Sequence, residues 1–144
     1  MTEPKDLTLE QVQELVTRAP YHKWLGLKVV AVHDDGIEIK ATWREEWVVN
    51  LERRFTHGGI LATLIDLGAD WAMVRKIGRG VPTIDMRVDY HAVALPGDLM
   101  IKGKIVRMGS QFSTAEASIY DEKGKLLASG RGTYFTAPPP APKA

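Results

Sequence analysis

Apolar and polar positions alternate along most of this chain with a period of two, and the alternation is broken by one long stretch with a helical period. Val29 to Val32 and Ile37 to Trp43 flank Asp34-Asp35-Gly36, the signature of a hairpin. In Thr83 to His91, Ile84, Met86, Val88 and Tyr90 share one face, with Asp85, Arg87, Asp89 and His91 on the other. Leu99 to Arg107 follows a Pro96-Gly97-Asp98 turn and sets Leu99, Ile101, Gly103 and Ile105 on its apolar face. Phe112 to Asp121 and Lys125 to Phe135 are joined through Glu122-Lys123-Gly124, a second hairpin. The small residues Ala128, Gly130 and Gly132 on the last of these strands predict that another element packs closely against it.

Two segments read as helix. Thr8 is an N-cap with Gln11 three residues on, a capping box that predicts a helix over 9–19, stopped at Ala19-Pro20. Residues 44–56 show no clear period and read as a loop. Gly58 to Ile77 is the long helix. At about 100° per residue, Ile60, Leu61, Leu64, Ile65, Leu67, Trp71, Ala72 and Val74 cover an apolar arc of about 180°. The remaining arc is a stripe of Gly59, Ala62, Thr63, Asp66, Ala69, Asp70 and Met73: mostly small residues, with two carboxylates among them. The order helix, two strands, long helix, four strands predicts an α+β fold, a sheet around a central helix. One domain is expected over 1–136. Residues 137–144 hold four prolines, cannot build a core and are expected to form a mobile tail.

Composition narrows the function. The chain has 144 residues, 44% of them hydrophobic and 26% charged, enough for one domain with a core of its own. A net charge of +1 with scattered basic residues gives no support to nucleic-acid binding. The absence of cysteine excludes disulfides, thiolate metal sites and a cysteine nucleophile. His22, His33, His57 and His91 lack paired metal-ligand spacing, and no Gly-x-Ser-x-Gly elbow is present. The first residues lack the basic and apolar regions of a secretory signal, and no apolar run approaches the roughly 18 residues of a membrane helix. The expectation is a soluble cytoplasmic protein without a bound cofactor.

The chemistry gathers in His57-Gly58-Gly59-Ile60-Leu61-Ala62-Thr63-Leu64-Ile65-Asp66. Unsatisfied N–H groups and the positive dipole end at a helix N-terminus can polarise a carbonyl oxygen, and Gly58 and Gly59 let it approach the backbone. Asp66 can act as general base or nucleophile; the sequence leaves both open. Eight residues of helix set Gly58 and Asp66 about 12 Å apart, too far for both to touch one reacting carbon. Two antiparallel helices packed along the small-residue stripe would bring Asp66 of one chain beside Gly58 of the other. Asp70 lies one turn beyond Asp66, and like charges at i,i+4 raise at least one carboxyl pKa.

With these residues the chain resembles the hotdog thioesterases of the phenylacetate-degradation-protein type and their thioesterase-superfamily relatives. The likeness rests on His57-Gly58-Gly59, on Asp66 eight residues after the first glycine, on Thr83-Ile84-Asp85-Met86 and on Lys125 to Gly130, and spans about 25–135. It implies the hotdog fold, a homodimer whose active sites are shared between chains and which pairs into a homotetramer, and hydrolysis of an acyl-coenzyme A (acyl-CoA) thioester. It further implies that Thr83 holds the attacking water near Asp66. His57 orients the loop or touches the thioester carbonyl, or is a structural cap. Asn50 resembles the family's asparagine, but stands seven residues before the histidine rather than six, and Arg54 replaces a frequent glycine. Gly59 and Asp70 are expected to line the substrate, with Arg107 a candidate for the coenzyme A phosphates. Trp47 and Phe55 read as acyl-pocket residues or core anchors. Hydration or dehydration, and binding without catalysis, are the competing readings.

Overall fold

The computed structural model describes residues 6–143. The first five residues, where no leader is expected, and the final residue of the expected tail lie outside the described part. The chain opens with α1 (Leu9–Val16), capped by Thr8, whose hydroxyl accepts from the Gln11 N–H while the Gln11 side chain accepts from the Thr8 N–H. The expected single helix over 9–19 ends earlier. Pro20 does not stop a helix but begins one, α2 (Pro20–Trp24), because proline's missing N–H costs nothing at the first helical position.

Strands β1 (Lys28–Val32) and β2 (Gly36–Ala41) form the first hairpin, and the following loop contains a single 3-10 turn at Glu45–Trp47. The long helix α3 (Gly58–Ile77) has its expected bounds. His57 caps its start, and Gly78 ends it at φ +84°, where a residue with a Cβ would be strained. Then come β3 (Thr83–Tyr90), β4 (Leu99–Arg107), β5 (Phe112–Tyr120) and β6 (Leu126–Phe135). All six strands pair antiparallel in one sheet of order β1-β2-β4-β5-β6-β3.

The sheet curls around α3, which packs against β2, β4, β5, β6 and β3. Leu61, Leu64, Ile65, Leu67, Ala72 and Val74 bury their side chains against it, as their arc predicts. Each large apolar group so buried contributes about 1.5–3 kcal/mol. The wrapping goes further than the arc did: Ala69 and Met73, placed on the stripe by angle, are fully buried within their own chain. The part of the stripe left accessible is Gly59, Ala62, Thr63, Asp66 and Asp70. Closest approach between helix and sheet is at Gly68, where a Cβ would lie 2.5 Å from the Ile101 side chain. A Cβ on the facing Gly103 would overlap the Gly68 carbonyl.

Candidate active site

Asp66 stands midway along α3 on the accessible stripe. Its Oδ1 accepts two hydrogen bonds: the Thr83 hydroxyl donates at 3.0 Å and the Tyr134 hydroxyl at 3.1 Å. Thr83 and Tyr134 are direct cross-strand partners in the β3–β6 ladder, which is why their tips converge on one oxygen. Thr83 thus gives its hydrogen to the carboxylate itself. Burial, and then the charge of Asp66, raise the Tyr134 hydroxyl well above the ordinary tyrosine range, so it remains a donor at every working pH.

Asp70 lies one turn on. Its Oδ1 is buried and has no hydrogen-bond partner among the described residues. Burial, followed by repulsion from Asp66, raises its pKa from 3.8 to about 7. The two carboxyl groups of the stripe therefore differ in kind: one is held by two donors, the other is desolvated and close to half-protonated at neutrality.

A second group forms at the start of α3. The Gly59 N–H donates to His57 Nδ1 at 2.8 Å. A neutral His57 ring must then carry its hydrogen on Nε2, a donor on an exposed side chain. The Gly59 N–H is spent on this cap, whereas the Gly58 N–H finds no acceptor among the described residues. Gly58 is the donor left for a ligand. The Tyr90 hydroxyl donates to the Gly58 carbonyl at 2.8 Å and so fixes the next peptide, the one whose Gly59 N–H is capped by His57. Val49, Phe55, Gly58, Leu61, Tyr90 and Val93 line a groove of about 410 Å³ here, predominantly apolar.

Other expected residues fall elsewhere. Asn50 Oδ1 accepts from the N–H groups of Glu52 (3.1 Å) and Arg53 (2.7 Å), so its oxygen is committed to a turn. Arg54 follows at φ +58°, a left-handed conformation that explains why a glycine suits this position. Arg107 is exposed at the end of β4 and bonds to none of the residues above. Trp47 is fully buried, its ring edge-on to Trp43 at 5.7 Å, and is a core anchor, whereas Phe55 lines the groove. A larger cleft of about 510 Å³ beside Lys40, Lys102 and Tyr120 contains none of the site residues.

Tyr134 and Tyr90 escaped the sequence reading. An aromatic residue in a period-two strand signals core, and nothing local tells where its hydroxyl ends. The available hint for Tyr134 was Gly132, two positions earlier on the same face. Among the described residues, no group of three histidines or carboxylates could hold a metal ion, and no helix is long and apolar enough to cross a membrane.

Comparison with known proteins agrees with this architecture. A family model described as the thioesterase superfamily matches residues 54–128, from the loop before α3 into β6. An X-ray structure of a thioesterase-superfamily protein superposes with a TM-score of 0.87 at 47% identity, covering 89% of this chain and 97% of that one. A protein of Halobacterium salinarum named as a candidate esterase is 38% identical over 88 residues, 54% of this chain and 58% of its own length. The medium/long-chain acyl-CoA thioesterase YigI of Escherichia coli is 23% identical over 150 residues, 90% of this chain and 96% of its own. With a helix wrapped by a six-stranded antiparallel sheet and both site groups inside or beside the matched segment, this chain belongs to the thioesterase superfamily and has its hotdog fold.

Proposed function

We propose that this protein hydrolyses an acyl-CoA thioester to the free acid and coenzyme A at a site shared by two chains. The observation that carries the proposal is the Asp66 carboxylate, held on one oxygen by Thr83 and Tyr134 and directed along an accessible stripe of small residues. The similarity to an acyl-CoA thioesterase supports the substrate class.

The Gly58 N–H of the partner chain polarises the thioester carbonyl, with His57 Nε2–H as a second donor beside it. Asp66 acts as general base or nucleophile. As base, it takes a proton from water while the water oxygen bonds to the carbonyl carbon and the carbonyl π pair moves to oxygen. Collapse of that intermediate expels the coenzyme A thiolate, which takes the proton held on Asp66 and restores the carboxylate. Dimerisation is part of the reading because one α3 separates its own Gly58 and Asp66 by about 12 Å. Edge strand β3 supports it: paired with β6 on one side only, it leaves Ile84 and Tyr90 55% and 54% exposed beside a free edge, a surface that a second chain could cover.

Thiol release from a panel of aromatic and aliphatic acyl-CoAs tests this. Wild type should release coenzyme A from at least one member, and Asp66→Asn should lose about 10²–10⁴ in kcat while keeping its fold. Hydration of an enoyl-CoA without thiol release, tight binding without turnover, or a folded Asp66→Asn enzyme of near wild-type rate would each overturn the proposal.

A further inference from the structure

The donors on Asp66 are distributed unequally between its two oxygens. Thr83 and Tyr134 both donate to Oδ1, and no side chain among the described residues donates to Oδ2. The Tyr134 hydroxyl also lies 3.4 Å from the Asp66 backbone carbonyl, so the ring tip sits against both ends of this residue. Tyr134 is itself fully buried, and its reach depends on its own strand. A Cβ at Gly132 would lie 2.7 Å from the Tyr134 hydroxyl and 2.8 Å from its ring, so only a glycine lets the ring fold back along β6 towards α3.

We infer that Tyr134 is a positioning residue for the hydrolysis: with Thr83 it locks Asp66 through Oδ1, assigns Oδ2 as the reacting oxygen, and relies on Gly132 for the space to do so. Two donors on Oδ1 fix the carboxylate plane. The remaining oxygen meets water or the thioester carbon without competing for a protein donor. Around this carboxylate, Tyr134 is the titratable group from β6 and Asp70 the one from α3, while β3 contributes only the neutral Thr83 hydroxyl. The inference rests on the hydrolytic role of Asp66 proposed above.

Tyr134→Phe removes the hydroxyl and keeps the ring. It should lower kcat about tenfold or more with KM changed less than about twofold, because the lost contact serves the reacting oxygen rather than substrate binding. Gly132→Ala should lower kcat in the same way by displacing the ring. Adding it to Tyr134→Phe should lower kcat little further, as expected for two residues acting through one bond. Crystal structures of wild type and Tyr134→Phe read the hold directly, without activity, and should show the Asp66 carboxylate rotated or split between orientations in the variant. Absence of thiol release by wild type would sink the hydrolytic reading while leaving that structural comparison interpretable. A folded Tyr134→Phe enzyme with unchanged kcat and an unchanged Asp66 carboxylate orientation would overturn the inference, as would fully additive losses from the two substitutions.

Discussion

The two carboxyl groups of the stripe have opposite needs. Asp66 is supplied with donors, whereas Asp70 is desolvated and faces a like charge, which raises its pKa to about 7. The linkage follows from that direction. The folded chain keeps the Asp70 proton up to about pH 7, whereas the unfolded chain releases it near 3.8. Between those values the folded state binds more protons, so this group makes stability fall as pH rises, and the loss levels off above the window. Asp70→Asn removes the titration. Urea melts should show the variant gaining on wild type between pH 4 and 8, by on the order of 1–3 kcal/mol, whatever the offset at pH 4. Parallel stability profiles would mean that Asp70 is not the desolvated acid described here. Its position was legible from the i,i+4 spacing to Asp66. The Asp66–Tyr134 bond was not, because it joins residues 68 positions apart through the tip of a side chain that reads as core.

At the scale of elements, legibility followed the strength of local signals. The bounds of α3 emerged because a histidine-glycine start and a Gly78 end bracket a continuous helical period. The bounds of β4 emerged because a turn and a clean alternation frame it. Helix α2 was missed because Pro20 reads equally as the end of one helix and the first residue of another. The burial of Ala69 and Met73 was missed because helical angle alone does not say how far a sheet curls. The packing of α3 on the sheet turns on Gly68 and Gly103. Gly68→Ala meets the Ile101 side chain, which has some freedom to move, and more loosely the Ala117 Cβ, and should cost about 1–3 kcal/mol. Gly103→Ala meets the Gly68 backbone carbonyl, which cannot yield without moving the helix, and should cost more. Urea denaturation of both variants checks the order; a Gly103→Ala protein as stable as wild type would refute the close approach.

For the whole molecule, the fold supports the proposal that a single chain holds two half-sites. The sheet fixes α3 along its length, so its start, with Gly58 and His57, cannot move towards Asp66 two turns away. The same wrapping leaves the stripe and edge strand β3 accessible on the side where a second chain would complete both halves. Mixing two inactive variants tests this most directly. One carries Asp66→Asn; the other carries Gly58→Val, which blocks the approach to the free N–H. Each homodimer should be nearly inactive. In the mixed dimer one site bears both lesions, and the other unites wild-type Asp66 with wild-type Gly58. Random pairing of equal amounts makes roughly half the dimers mixed, each with one intact site of two, so about a quarter of wild-type thiol release should return. Return of that activity in differently tagged, co-purified pairs is the predicted result. Folded mixed dimers as inactive as both parents would contradict the shared site.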